Sequence, residues 1–297
     1  MTRERRMALL ATLTLLGVTA AWGSTFFMTK DLLERMSLLD YLAVRFTIGA
    51  FFVAALAPRS LTRLSRESLR HAVVLGLLYG VAQIIQTAGL DLTPASVAGF
   101  ITGMYVVLTP VLAALILRTR IGGWTWFAVA LAMVGLAVLT LDGFSIGYGE
   151  ALVLVSAVLY AGHIVGLGAW SKPELAIGMS VVQLAVIAVV AWVATVPDGV
   201  AMPTHAADWA RLIYMAVFAG ALALLGQTWA QAHLPATRSA IIMAMEPVFA
   251  ALFAVLFGGE HATRRMLVGG VLVLAAMLLV ELLPRRRVEA EVTHLTV

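Results

Sequence analysis

Glu246 is the only formally charged side chain in the apolar run SAIIMAMEPVFAALF (239–253), and Pro247 follows it directly. Proline lacks an N–H and clashes with the carbonyl four residues back, so the pair predicts a kinked helix that frees the carbonyl of residue 243. A carboxylate beside a broken helix can bind a substrate ammonium group or carry a proton. The competing role is structural, with the carboxylate held by Arg45 or by a hydroxyl. Three sets of residues recur at i, i+4 and i+7, the spacing of one helix face. They are Tyr79, Gln83 and Gln86; Ser156, Tyr160 and His163; and Ser239, Met243 and Glu246. Polar groups in hydrocarbon are costly and face a protein interior or a wet cavity. The same groups can instead join helices by hydrogen bonds, at about 0.6 kcal/mol each.

Other residues extend this candidate cavity. Trp22, Tyr79, Tyr105 and Tyr160 sit in the middle of apolar runs, where an aromatic face can receive an apolar side chain or a cation. Ser24 and Gln227 join them by position. Trp124, Trp126, Phe127 and Trp209 lie near run ends, where an interfacial belt accounts for them. His163 has no second histidine or carboxylate at ligand spacing, so no metal site is expected. Histidine can exchange a proton near neutral pH, or His163 can serve as a hydrogen-bonding wall residue. Pro110 and Pro247 are candidate kinks, either static or flexing. The GxxxG pattern in GFITG (99–103) calls for nothing beyond close helix packing.

The elements that must position these residues follow from composition. Apolar residues make up 62% of the chain and charged residues 12%, against about 45–50% and about 25% in soluble domains. So few charges cannot cover a water-soluble surface, and the chain reads as an all-α integral membrane protein. Cysteine is absent, which removes disulfides, thiol catalysis and thiolate metal sites. The basic residues sit between apolar runs rather than on one face, so nucleic acid is not a partner; the lipid bilayer is. Spanning helices need about 20 apolar residues, and runs of that kind cover 7–29, 37–57, 72–91, 95–117, 121–141, 149–170, 175–196, 209–231, 236–257 and 265–283. The first run is too long for the h-region of a signal peptide and is read as a helix.

Orientation follows from lysine and arginine. Arg3, Arg5 and Arg6, the group from Arg59 to Arg70, Arg118, Arg120, Lys172, Arg238 and Arg285 to Arg287 fall on one side. The other side carries Lys30, Arg35, Arg211, Arg264 and Arg265. Both termini are therefore expected in the cytoplasm.

The two halves of the chain echo one another. QTAGLDLTPAS (86–96) answers QTWAQAHLPAT (227–237), and LTPVLAALI (108–116) answers MEPVFAALF (245–253). AWGS (21–24) falls where LYAG (159–162) falls in the second half. The expected organisation is two five-helix repeats, 1–143 and 144–284, with a cytoplasmic tail at 285–297. Five is odd, so the second copy enters the membrane inverted, an architecture of secondary transporters. Pro94 and Pro235 should then face opposite membrane surfaces.

On AWGSTF with Lys30, RFTIGA (45–50), the TPAS-to-TPV stretch and LPATRSAIIMAMEPVFAALFAVLFGGE (234–260), the chain resembles the drug/metabolite transporter superfamily. The likeness is to its ten-helix EamA-type exporters, and within them to bacterial amino-acid exporters of the aromatic amino-acid type. One departure is that Gly123 stands where a counterpart of Glu260 would fall. The resemblance implies a central cavity lined by spans 1, 3, 4, 6, 8 and 9, a cell inner (plasma) membrane location, and export of amino acids or cationic metabolites. It also makes span 2 peripheral, so that Arg45 is expected in a structural ion pair. An exporter of drugs or organic cations is the alternative; an intramembrane enzyme or a non-transporting scaffold is remote. No phosphate loop is present, so ATP is not the direct driver, and no cofactor is expected. A monomer suffices for this reading.

Overall fold

Backbone N–H and C=O groups in hydrocarbon find no water, so a chain this apolar must satisfy them inside helices. The computed structural model describes residues 3–93, 95–118, 122–140, 147–195, 199–257 and 263–282, and it is helical with no strand among them. The elements are α1 (Arg3–Gly23), α2 (Thr25–Leu33), α3 (Leu38–Leu56), α4 (Arg66–Leu92), α5 (Ala95–Gly103), α6 (Tyr105–Ile116) and α7 (Gly123–Thr140), then α8 (Tyr148–Trp170), α9 (Ala176–Thr195), α10 (Ala206–Ala216), α11 (Ala223–Gln231), α12 (Ala236–Met243), α13 (Glu246–Phe257) and α14 (Arg264–Leu282). Among the described residues, seven stretches are long and apolar enough to cross a membrane: Arg3–Leu33, Leu38–Leu56, Arg66–Leu92, Tyr148–Trp170, Pro173–Thr195, Ala206–Gln231 and Ala236–Phe257. Ile101–Ile116, Gly123–Gly135 and Leu267–Ala276 are shorter apolar helices. Pro94, Glu260 and the 285–297 tail lie outside the described residues.

Several apolar runs that read as single helices are interrupted. The first breaks at Ser24, between α1 and α2, and α5 gives way to α6 at Met104. A π-helical turn, Val217–Leu222, separates α10 from α11. Ala244 and Met245 separate α12 from α13. The break near Pro247 falls just before it, leaving the proline at the second position of α13, where its missing N–H costs no helical bond. Pro110 sits inside α6, which continues through it. Hydropathy is blind to such interruptions, because the residues on either side are equally apolar.

Helix starts follow local chemistry. Ser37 Oγ accepts the Asp40 N–H at 3.2 Å ahead of α3, and Ser65 Oγ accepts the Ser68 N–H at 3.1 Å ahead of α4. Each satisfies a donor that the first helical turn leaves open. Asp40 is buried and accepts the Thr195 hydroxyl at the end of α9 and the Ala201 N–H at 3.1 Å.

In the bundle, α4 packs on α8 and α9, α3 on α9, and α7 on α14, while α1 lies against α11, α12 and α13. An ionic cluster ties the end of α2 to the start of α10. Arg35 contacts Asp31 at 2.7 Å and Asp208 at 2.8 Å, and Arg211 contacts Asp31 at 2.5 Å. Hydrogen bonds that Arg35 donates, first to Asp31 and then to Asp208, hold its guanidinium above its ordinary pKa.

Close approach of α4 and α8 depends on Gly89, where a Cβ would meet Val153 Cγ2 at 2.5 Å and the Gly149 carbonyl oxygen at 2.7 Å. Gly99, expected from GFITG to mark tight packing, has nothing within 4 Å of a Cβ; that half of the pattern makes no close contact. Replacing Gly89 by valine should overpack the α4–α8 seam and cost about 1–3 kcal/mol, seen as a lower melting temperature in detergent. Gly17→Ala, in open space, should stay within about 0.5 kcal/mol.

Candidate functional site

The helix interruptions converge on one cavity. Its empty volume, mouth included, is about 650 Å³. α4 supplies its longest wall. Tyr79, Gln83, Gln86, Thr87 and Leu90 line it, at i, i+4, i+7, i+8 and i+11, so one helix face is given over to it. Across from them, α8 contributes Tyr160, His163 and Ile164. Trp22 enters from α1, and Thr25, Phe26 and Thr29 from α2. Thr102, Tyr105, Gln227, Met243 and Glu246 complete the walls, with Arg45 of α3.

Hydrogen bonds set the polar wall. Gln86 Nε2 donates to Thr102 Oγ1 at 2.9 Å, and the Tyr160 hydroxyl donates to Gln86 Oε1 at 2.8 Å. Tyr79 meets the Tyr160 ring edge-on with centroids 5.5 Å apart, and its centroid lies 5.0 Å from His163. Gln183 Nε2 donates to the Met179 carbonyl, which turns Gln183 Oε1 toward His163 Nε2 at 2.8 Å. With the amide so oriented, the imidazole hydrogen belongs on Nε2. Gln227 Nε2 donates to Gln231 Oε1 at 3.0 Å, and Gln231 Nε2 to the Ile164 carbonyl at 2.9 Å. The buried Gln227 Oε1 has no hydrogen-bond partner among the described residues.

Glu246 opens α13 and is 7% exposed. The carbonyl that Pro247 leaves without an N–H donor, that of Met243, accepts the Tyr105 hydroxyl at 2.7 Å, and the same hydroxyl lies 3.4 Å from Glu246 Oε2. Tyr105 thus secures the break and steadies the carboxylate. Arg45 does not hold it: among the described residues no carboxylate oxygen lies within 4.0 Å of Arg45, which corrects the expected ion pair. Its neighbours are instead the Tyr41 hydroxyl and the carbonyls of Met215 and Ala219.

Every candidate cavity residue read from the sequence lines this space except Ser24. Ser24 sits at the α1–α2 break, where its Oγ donates to the Ala21 carbonyl at 2.7 Å and meets the Tyr214 hydroxyl at 2.8 Å. The break turned it away from the cavity and onto α10. Ser156 and Ser239, first in their i, i+4, i+7 sets, are buried but off the cavity as well. Thr25, Phe26, Thr29, Thr87, Leu90, Thr102, Ile164 and Arg45 went unpredicted as wall residues. The spacing Trp22, Phe26, Thr29 could have flagged the α2 face. Nothing in the sequence flags the π-helical turn, which redirects α10 toward Trp22 and Arg45.

The groups assembled are amides, phenols, one imidazole, one carboxylate and one guanidinium around aromatic faces. Such a set has donors, acceptors and apolar faces of the kind found in sites for small amphipathic solutes. Tyr105→Phe should leave the Met243 carbonyl unsatisfied in a buried position and destabilise the protein by about 1–3 kcal/mol, measured as a drop in melting temperature in detergent.

Comparison with known proteins agrees with this architecture. The model of the EamA-like transporter family matches residues 9–141 and again 147–282. An uncharacterized transporter of Archaeoglobus fulgidus is 30% identical over 266 residues, covering 89% of this chain and 83% of that protein. A solved crystal structure, titled simply as that of a protein, shares the fold with a TM-score of 0.77. It covers 93% of this chain and 98% of that one at 18% identity.

Proposed function

We propose that this chain, which belongs to the EamA-like transporter family and is a multi-pass membrane protein, is a secondary transporter. It exports amino acids or similar small metabolites across the cell inner membrane by alternating access. The observation that carries the reading is the central cavity, with an aromatic and amide lining and a carboxylate beside a broken helix. It extends along α2 and α4 to Thr29 and Leu90, while toward the start of α1 the bundle is filled by Ala8, Ala11, Leu15, Leu234, Ala236 and Ala240.

In this reading the chain crosses the bilayer ten times, with both termini cytoplasmic. The repeats are α1–α7 and α8–α14, related by a two-fold axis in the membrane plane. Two observations support the repeat. The family model matches each half separately. The packing pairs also interchange: α3 with α9 and α7 with α14 join corresponding elements, whereas α1–α11 exchanges with α4–α8 and α6–α12 with α5–α13. A second reading, an exporter of organic cations, draws on the same carboxylate and aromatic faces.

Reconstitution tests the proposal. In sealed liposomes, labelled solute should accumulate saturably, and preloaded unlabelled solute should accelerate its entry by counterflow. Glu246→Gln should lower that exchange roughly tenfold or more, since a charge-assisted hydrogen bond is lost. Flux without saturation or counterflow would mark a channel and overturn the reading.

A further inference from the structure

Arg45 is 5% exposed, lies within an apolar helix, and lines the cavity. A buried guanidinium normally secures a carboxylate, because an uncompensated charge in a low-dielectric interior is costly. None is within 4.0 Å of Arg45 among the described residues. The protein surrounds the group with neutral acceptors. Nε donates to the Met215 carbonyl at 3.3 Å, Nη1 to the Tyr41 hydroxyl at 2.8 Å, and Nη2 to the Ala219 carbonyl at 3.5 Å. The Phe46 and Tyr41 rings lie 5.2 and 5.6 Å from its central carbon. These contacts orient the guanidinium without neutralising it. They use three of its five N–H groups, and the bond to Ala219 is at the limit of the range.

A π-helical turn lies against this side chain. The carbonyls that receive it flank and enter the π-helical turn Val217–Leu222, and a Cβ on Gly220 would lie 4.0 Å from Arg45 Nε. On the same cavity stands Glu246, also without an ionic partner among the described residues. One cavity therefore presents a guanidinium and a carboxyl group that do not pair with each other.

We infer that Arg45 is a specificity-determining residue that receives the carboxylate of the transported solute, while Glu246 receives its ammonium group. The substrate class is then zwitterionic. This assignment rests on the cavity being the transport site, and it narrows the two solute classes above to one. An organic cation satisfies Glu246 but leaves the guanidinium uncompensated. A simple carboxylic acid does the reverse. Only a solute carrying both charges, such as a free amino acid, settles both.

The test compares neutral amino acids (alanine, threonine, valine and phenylalanine) with their methyl esters and their N-acetyl derivatives. Binding to the purified full-length protein is read by ligand-induced shifts in melting temperature, and transport by counterflow in liposomes. In the wild type, at least one free amino acid should bind about tenfold or more tighter than either derivative. Arg45→Met should erase the preference over the ester, Arg45→Lys should restore part of it, and Glu246→Gln should instead erase the preference over the N-acetyl form. A purely structural Arg45 would weaken all ligands alike and leave the ester ratio unchanged, which overturns the assignment. Should the Arg45 variants fail to fold, wild-type protein decides alone: an ester that binds as well as its amino acid overturns it. If organic cations counterflow while no amino acid binds, the transporter reading stands and the zwitterion assignment falls. If amino acids bind with the expected ratios but nothing counterflows, the transporter reading falls instead.

Discussion

A backbone carbonyl or N–H inside hydrocarbon has no water to turn to, so every interruption of a spanning helix must be repaired by some other part of the protein. The architecture of this bundle depends on that constraint. At the α1–α2 break, Ser24 bonds the Ala21 carbonyl and meets Tyr214. Around the π-helical turn, the Met215 and Ala219 carbonyls take donors from Arg45 and Trp22. Ahead of Pro247, the Met243 carbonyl takes the Tyr105 hydroxyl. The first repair is local, whereas the donors at the π-helical turn and ahead of Pro247 reach across from other elements. The cavity and the means of its stabilisation are therefore built from overlapping residues, with Trp22, Arg45, Tyr105 and Met243 belonging to both.

This arrangement places polar groups in the middle of the bundle without leaving the lipid-facing surface polar. Leu115, Val193, Phe257 and Val271 are largely exposed and apolar, whereas Gln83, His163, Gln183, Gln227 and Gln231 are buried. The amides form bonds with one another, with backbone carbonyls or with aromatic hydroxyls, so the interior polarity is largely internal to the protein. What finds no ionic partner among the described residues is the pair of ionisable side chains Arg45 and Glu246. Their separation within one cavity distinguishes it from an ordinary helix-joining network.

The membrane class and the helical character were legible in composition and run length, because hydropathy reports the solvent directly. The cavity walls on α4, α8 and α12–α13 were legible for a related reason. A polar residue in an apolar run must face inward, and helical spacing tells which of its neighbours share that face. Tyr79, Gln83, Gln86, Tyr160, His163, Met243 and Glu246 were found that way. The freed carbonyl of residue 243 was legible from Pro247 alone, but not its recipient, because Tyr105 is distant in sequence. Ser24 was misplaced because a helix break rotates whatever follows it, and apolar residues on both sides conceal the break. Arg45 was seen but expected in an ion pair, since sequence records that a charge is present and not what surrounds it.

The Ala219 carbonyl accepts both Trp22 Nε1, at 2.9 Å, and Arg45 Nη2, at 3.5 Å. An aromatic wall of the cavity and its cation thus share one acceptor on the π-helical turn. A solute that draws the guanidinium toward itself competes with that acceptor, and a shift of the turn that withdraws the acceptor releases the guanidinium to the solute. Occupancy and local backbone geometry are consequently linked variables, and by thermodynamic reciprocity each biases the other by the same free energy.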